Sequence, residues 1–273
     1  MRTTCLFFII LLVCACQPKT TLSHEEQMIN KIAALEKKGY DIIDHHAHLK
    51  GGLTMDQLLE HGKKTGISYG VAVNCGWGFP VQTDSALSAY YHSHKDYPVF
   101  NAMQAEGREW TGMFSPDSVA LFDYVFTDAL TWFDREGRRT RLWIKDEVFI
   151  DDVQEWMDYY VDQIVTIITH EPVDIFVNPT FLPEEIRDRY DELWTEERML
   201  KVVNALEQRG MALEINAKGL PSASFIKLAK AHGVKFTLGT NNGGAELGYL
   251  QYGMEMIEEC NLEPGDFWKA EKK

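Results

Sequence analysis

Short apolar runs alternate with longer amphipathic stretches along most of the chain. The short runs predict strands, and they lie at 41–45, 67–73, 99–105, 122–127, 173–177, 211–215 and 234–238. The longer stretches have the 3.6-residue period of helices, and they lie at 54–65, 83–95, 151–169, 196–209, 222–232 and 245–259. Strands this short and apolar are typical of a parallel sheet that is buried on both faces and connected by helices.

Seven such β-α units predict an α/β protein with a single domain, a distorted TIM-like (β/α)7 barrel. An open, doubly wound sheet is the alternative, because both folds use parallel strands with right-handed helical crossovers. We place the barrel at 41–273. Residues 16–40 form a tether followed by an amphipathic helix over 25–38.

The N-terminus has the pattern of an export signal. Arg2 is followed by an apolar run from Cys5 to Ala15, which is shorter than the roughly 20 residues of a transmembrane helix. The run ends Leu12-Val13-Cys14-Ala15-Cys16. This resembles the lipobox of bacterial lipoproteins, which implies a signal peptide over 1–15, cleavage before Cys16 and lipidation of the Cys16 thiol. An ordinary secretory signal is the alternative. The prediction is a protein of the bacterial envelope that meets the membrane through its lipid anchor only, on the periplasmic or outer-membrane face.

Composition excludes some functions. The formal net charge is −14, which disfavours nucleic-acid binding, because contacts with phosphate need clustered Lys and Arg. Apart from the N-terminal segment only Cys75 and Cys260 remain, and two cysteines do not make a disulfide framework.

Polar residues follow the predicted strands, at the barrel end where active sites of this architecture lie. They are Asp44, His46, His48, Asn74, Cys75, Glu106, Arg108, Asp128, Asn178, Glu214, Asn216, Thr240, Asn241 and Asn242. In an extended segment His46 and His48 point the same way, so both imidazoles can address one metal ion, whereas His45 points away. The turn 239–244 before a predicted helix is also typical of an anion site.

Several of these strand ends resemble the motifs of the PHP (polymerase and histidinol phosphatase) superfamily, and more loosely those of amidohydrolases. Asp44-His45-His46-Ala47-His48 is similar to the Asp-x-His-x-His motif that closes the first PHP strand. Segments 66–73, 105–107, 173–179 and 236–241 are similar to later strands of that family. The resemblance covers most of the chain after residue 40. It implies a (β/α)7 barrel that binds divalent metal ions and hydrolyses phosphoesters.

The resemblance also implies a set of site residues. His46, His48 and Glu106 match metal ligands of the family, and Asp128 stands where the family often has His. Other ligand positions are occupied here by Asn74, Cys75, Asn178, Asn241 and Gly243. We therefore expect one or two ions of Zn, Mn or Fe rather than three, with a metal-free protein as the alternative.

The leading hypothesis is a metal-dependent, phosphoesterase-like hydrolase acting on a small molecule through a metal-activated water. Glu214 and Asp128 are the candidate catalytic carboxyl groups. Arg108, Asn178, Asn241 and Asn242 are the candidate substrate-binding residues. The second hypothesis is a catalytically inactive barrel that binds a small molecule or a protein partner. A third is an amidohydrolase-like enzyme acting on C–N bonds, which predicts Lys145 or His170 among the metal ligands.

Overall fold

A computed structural model describes residues 23–273, so the predicted signal peptide and Cys16 lie outside the described residues. Seven strands form a closed parallel barrel in the order β1 (Ile43–Ala47), β2 (Ser68–Cys75), β3 (Phe100–Ala105), β4 (Tyr124–Thr127), β7 (Ile175–Phe176), β8 (Ala212–Asn216) and β9 (Phe236–Gly239). The predicted barrel is confirmed, and the open sheet is wrong, because β1 pairs with β9 and leaves no edge.

Helices connect the strands and cover the barrel. They are α1 (His24–Glu36), α2 (Met55–Thr65), α3 (Asp84–His94), α4 (Trp110–Met113), α5 (Pro116–Val119), α6 (Val153–His170), α7 (Tyr190–Leu193), α8 (Glu196–Arg209), α9 (Ala223–Ala231) and α10 (Gln251–Glu259). Short 3-10 turns lie at Lys145–Glu147, Arg187–Arg189 and Pro264–Asp266. None of the helices within residues 23–273 is long and apolar enough to cross a membrane.

Hydroxyl and carboxyl side chains set where the longer helices begin. Thr54, Thr83, Thr195 and Ser222 each accept a hydrogen bond from a backbone N–H in the first turn of α2, α3, α8 and α9. Asp152 does the same for α6. Such caps satisfy backbone donors that have no partner inside the helix. The sequence positions of these capping residues therefore fix the first residue of each of these helices.

The sequence pattern missed a two-stranded antiparallel hairpin in the long link after β4. It consists of β5 (Thr131–Phe133) and β6 (Arg139–Arg141). Its strands have three residues each, which is too short to show an alternation. The predicted helix at 245–259 begins only at Gln251, because the Gly-rich turn extends as irregular backbone to residue 250.

The barrel has an apolar lower half and a polar upper half. Large rings inside it include Tyr124 and Phe126, which are fully buried. Below them Trp268 of the C-terminal segment lies against Tyr124, with ring centroids 5.6 Å apart, and the backbone N–H of Trp268 donates to the carbonyl of Phe236. The C-terminal segment therefore closes the bottom of the barrel, and the open end is the one at the carboxyl ends of the strands.

Candidate metal centre and substrate cavity

A β-bulge in β1 determines how its histidines are presented. Asp44 pairs with Tyr69 and Ala47 pairs with Val71, so three steps along β1 match two along β2. Such a bulge re-aims the side chains beside it. The His45 ring packs against Tyr124 and Trp268 at the bottom of the barrel, as expected for a residue that does not face the site.

His46 is held in one orientation by a buried carboxyl group. Its Nδ1 lies 2.7 Å from Oε1 of Glu214, and its Nε2 is buried with no hydrogen-bond partner among the described residues. When a carboxylate accepts from Nδ1–H, the neutral imidazole keeps a lone pair on Nε2, which is the arrangement of metal-binding histidines.

His48 has the same arrangement with a different partner. Its Nδ1 lies 3.0 Å from the carbonyl oxygen of Ala72, and its Nε2 is also buried without a partner in the described part of the chain. The ring centroids of His46 and His48 are 5.2 Å apart. Burial lowers the pKa of His48 well below its ordinary value, and the neighbouring His46 lowers it further. His48 is therefore neutral and available as a ligand near neutral pH.

Glu214 is an orienting residue rather than a residue of the cavity wall. Besides His46, it accepts hydrogen bonds from the backbone N–H of Asn178 at 2.8 Å and from Nδ2 of Asn216 at 2.8 Å. It is buried and is not part of the cavity lining. Both of its oxygens are thus engaged in fixing other groups, and the role in orienting or deprotonating a water stays a prediction.

Glu106 and Asp128 do line the open end of the barrel. Oε1 of Glu106 accepts from Nδ2 of Asn74 at 2.7 Å, and its Oε2 is buried without a partner within residues 23–273. Asp128 accepts from the N–H of Leu130 at 2.9 Å and from Nδ2 of Asn178 at 3.0 Å. Burial raises the pKa of Asp128, and burial together with the charge of Asp128 raises the pKa of Glu106 well above its ordinary value. A bound cation would reverse these shifts, because an opposite charge favours the ionised carboxylate.

Two predicted substrate-binding residues lie elsewhere. Arg108 is turned away from the cavity: its guanidinium donates to Glu171 at 2.7 Å, to Thr127 and to the carbonyl of Asp128. The indole N–H of Trp110 also donates to Glu171. Arg108 is therefore a structural ion-pair residue, because Glu171, which the sequence pattern does not connect to it, satisfies its charge.

Asn242 is the second predicted substrate-binding residue that lies outside the cavity lining. It is buried, its Oδ1 accepts from the N–H of His48 at 2.7 Å, and its Nδ2 donates to the His48 carbonyl at 2.8 Å. Asn242 thus fixes the backbone of a candidate ligand instead of facing a substrate. Asp44 has a similar role, since it accepts from the N–H of His46 and from Thr240 and so ties the end of β1 to the end of β9.

Asn178 and Asn241 reach the cavity, as predicted from their positions. Both have positive φ angles, 49° and 43°, a region that Asn tolerates better than most residues. Nδ2 of Asn241 donates to Oδ1 of Asn178 at 3.3 Å, and Nδ2 of Asn216 donates to the same oxygen at 3.1 Å. Backbone strain of this kind is concentrated at functional sites.

The cavity has a volume of about 690 Å³. Several of its lining residues were not singled out from the sequence. They are Lys50, Phe79, Gln104, Trp143, Phe181, Arg187, Tyr190 and Lys218. Lys50 and Lys218 each stand two residues after a polar strand-end residue, His48 and Asn216, which is the signal that could have identified them. Gln104 belongs to β3, and the others come from connections whose path the sequence pattern does not predict.

Three other candidates stay outside the cavity lining. Lys145 lies in a 3-10 turn, and His170 ends α6 with its ring beside the Thr166 carbonyl. The amidohydrolase-like hypothesis therefore has no support from the positions of these two residues. Cys75 is buried with its Sγ on the Val73 carbonyl, and burial raises the pKa of its thiol, so it is unsuited to act as a nucleophile.

Buried ligand atoms that have no hydrogen-bond partner test whether this end of the barrel suits a metal ion. Within residues 23–273, no group of three or more His, Cys, Asp and Glu side chains has the arrangement of a complete metal centre. Nε2 of His46, Nε2 of His48 and Oε2 of Glu106 are nevertheless all buried without a hydrogen bond in this part of the chain. Buried polar atoms are rarely left unpaired, and an absent ion is one standard explanation. The donor set fits one ion held chiefly by the two imidazoles.

The fold defines a protein class, the closed barrel of seven parallel strands with covering helices. Among solved structures, it is similar to histidinol phosphate phosphatase from Lactococcus lactis subsp. lactis Il1403, which was crystallised with zinc, L-histidinol and phosphate. The TM-score is 0.55 at 14% sequence identity, and the match covers 82% of this chain and 95% of that one. This likeness concerns the fold. No family model matches the sequence, and no curated protein sequence matches it.

Proposed function

We propose that this protein is a metal-dependent hydrolase of small phosphoesters, with His46, His48 and Glu106 holding one divalent ion. The observation that carries the proposal is the set of three buried, unpaired ligand atoms, of which Oε2 belongs to Glu106 in the lining of the cavity and the two Nε2 atoms belong to neighbouring imidazoles at the end of β1. The similarity in fold to a zinc-containing phosphatase supports the same class of reaction, although a fold alone does not fix a function.

The residues around the proposed metal site have separate roles in this proposal. Glu214 and the Ala72 carbonyl hold the two imidazoles so that each Nε2 keeps its lone pair. A divalent ion bound there would polarise the phosphoryl oxygen and lower the pKa of a bound water. Asp128 and Asn178, which contact each other, face the cavity and would position the substrate. Lys50 and Lys218 add positive charge to the cavity that Glu106 lines.

Zinc, manganese and iron all accept imidazole with carboxylate ligands, so we propose one of these metals. A cluster of three ions is not proposed. Asn74, Asn178 and Asn241 supply neutral amides that hydrogen-bond to neighbouring side chains.

A specific observation favours a second candidate, a barrel that has lost catalysis and binds a small molecule. The amide groups at the open end form a network with one another: Asn74 donates to Gln104, and Asn216 and Asn241 donate to Asn178. Such a network is a formed binding surface that needs no metal.

We also propose that the protein is anchored to the bacterial envelope through lipid on Cys16. The support is the apolar run that ends in Leu12-Val13-Cys14-Ala15-Cys16. In that location the hydrolase would act on phosphoesters outside the cytoplasm.

The test is elemental analysis of the purified protein after incubation with zinc, manganese or iron(II), followed by an assay with p-nitrophenyl phosphate. We expect about one ion per chain and phosphate release, both lost in His46→Ala. The matched control is His45→Ala, because His45 is equally buried in the same strand but contacts Tyr124 and Trp268 instead of the site. A parent protein that stays metal-free would contradict the proposal and favour the binding barrel.

A further inference from the structure

The cavity is far larger than a phosphate group requires. Its volume of about 690 Å³ lies within the range of pockets that enclose whole small molecules, about 300–1,000 Å³. A phosphoester bound at the candidate metal centre would therefore place an organic group in most of this space. The chemistry of the lining indicates what that group is.

Five carboxamides form the largest group of polar side chains that residues 23–273 place in the lining. They belong to Asn74, Gln104, Asn178, Asn216 and Asn241. An amide both donates and accepts hydrogen bonds, as a hydroxyl group does. Asn74 and Asn241 use only their Nδ2 atoms in hydrogen bonds within the described part of the chain, which leaves each Oδ1 as an acceptor for a ligand. This surface matches a molecule with several hydroxyl groups.

Three cations also line the cavity in a chain whose net charge is −14. Lys50 is half-buried and lies within electrostatic range of both Glu106 and Lys218. Lys218 donates to the Asn241 carbonyl at 2.8 Å and so is fixed at the rim beside an amide. Arg187 is exposed in the 3-10 turn Arg187–Arg189 and makes no ion pair within residues 23–273. An anionic group on the ligand would be stabilised among these charges.

Four aromatic side chains of the described residues also line the cavity. Phe79, Phe181 and Tyr190 line the cavity, and Trp143 lines it with 47% of its surface exposed. A large exposed aromatic residue at the mouth of a cavity is typical of a ligand-binding surface. Flat aromatic faces pack well against the C–H faces of sugar rings, which present hydroxyl groups at their edges to the amides.

We propose that the cavity binds a sugar ring carrying an anionic substituent, either a phosphate or a carboxylate. The amides would bind its hydroxyl groups, Trp143 would stack on its ring, and Lys50 and Lys218 would bind its charge. The phosphate form rests on the proposed function, whereas the carboxylate form does not, because a sugar acid can bind whether or not the protein hydrolyses phosphoesters.

Isothermal titration calorimetry of the purified protein tests this directly, with zinc present and again with EDTA. The ligands are glucose 6-phosphate, mannose 6-phosphate, glucuronate and galacturonate. Glucose tests the need for charge, and phenyl phosphate tests the need for hydroxyl groups. We expect at least one sugar phosphate or sugar acid to bind about tenfold or more tightly than both comparison ligands, the ratio that one charge-assisted hydrogen bond supplies.

Variants locate the binding site. Trp143→Ala and Lys218→Met should each weaken binding about tenfold. The matched controls, Trp77→Ala and Lys227→Met, should leave it unchanged: Trp77 is 56% exposed but does not line the cavity, and Lys227 lies on α9 beside Glu259. All four side chains are at least partly exposed, so their replacement should not unfold the barrel.

The outcomes separate the two proposals. Any one of three results would overturn the sugar proposal. They are phenyl phosphate binding as tightly as every sugar ligand, no binding of any of the four sugar ligands, and unchanged binding by Trp143→Ala. If p-nitrophenyl phosphate is hydrolysed while no sugar ligand binds, the proposed function stands and this inference fails. If glucuronate or galacturonate binds while no phosphoester is hydrolysed, this inference stands and the proposed function fails.

Discussion

Replacing Glu214 with Gln should reverse the proton position on His46. Oε1 of Glu214 faces Nδ1 of His46, while Oε2 accepts from the N–H of Asn178 and from Nδ2 of Asn216. A carboxamide has only one oxygen. It satisfies more donors when that oxygen stays with Asn178 and Asn216, so the new NH₂ group faces His46. Nδ1 must then accept, and the imidazole proton moves to Nε2, where it blocks metal binding.

The magnitude follows from the three hydrogen bonds. All lie between buried groups, and bonds to a charged partner contribute about 1.5–3 kcal/mol each. The substitution keeps the contacts but removes the charge from all three. We therefore expect the free energy of unfolding to fall by about 2–4 kcal/mol. For a domain of this size that corresponds to a Tm lower by about 5–15 °C.

Urea denaturation measures the stability change, and long-range ¹H–¹⁵N correlation spectra of the histidine rings report which nitrogen carries the proton. The control is Glu207→Gln, because Glu207 makes the same contact to Nδ1 of His232 at 2.8 Å on the exposed surface. An exposed pair contributes about 0–1 kcal/mol, so this variant should be nearly neutral. Equal stability of the two variants, or a proton that remains on Nδ1 of His46 in Glu214→Gln, would refute the reasoning.

Three further expectations concern other parts of the chain. Burial lowers the pKa of His45 from 6.5 to about 4. The contribution of neutral His45 to stability is therefore complete above pH 6.5 and is lost as the pH falls toward 4. In urea titrations, the free energy of unfolding of His45→Phe should fall by about 2–3 kcal/mol less between pH 7 and 4.5 than that of the parent. Gly70→Ala should lower Tm strongly, because its Cβ would lie 1.7 Å from the Tyr124 hydroxyl oxygen, whereas Gly112→Ala meets nothing within 4 Å and should be tolerated; equal Tm values would contradict this. Cys16→Ser should move the protein from the detergent phase to the aqueous phase in a Triton X-114 partition, and unchanged partition would exclude lipidation.

Local pattern was sufficient to predict the barrel and the strand-end positions of its polar groups. The strand spacing and the alternation along β1 led to His46 and His48, whose ring centroids lie 5.2 Å apart at the end of that strand. Glu106, Asp128, Asn178 and Asn241 reach the cavity because the carboxyl ends of successive parallel strands share one end of the barrel.

Partners distant in sequence could not be predicted this way. Arg108 pairs with Glu171, which is 63 residues away at the end of α6, so its guanidinium never reaches the cavity. Glu214 lies 168 residues from His46, and nothing in the local pattern distinguishes an orienting carboxylate from a catalytic one. Side chains from long connections, such as Trp143, are placed by loop paths that have no periodic signature.

The closure of the barrel also constrains when it can fold. The strand that carries His46 is hydrogen-bonded to β9, and Asp44 binds Thr240 across 196 positions of sequence. Trp268 must then dock beneath both strands before the bottom is sealed. During synthesis β1 therefore cannot pair with β9 until almost the whole chain has left the ribosome. A truncation of even the final ten residues would remove Trp268 and leave the bottom of the barrel unsealed.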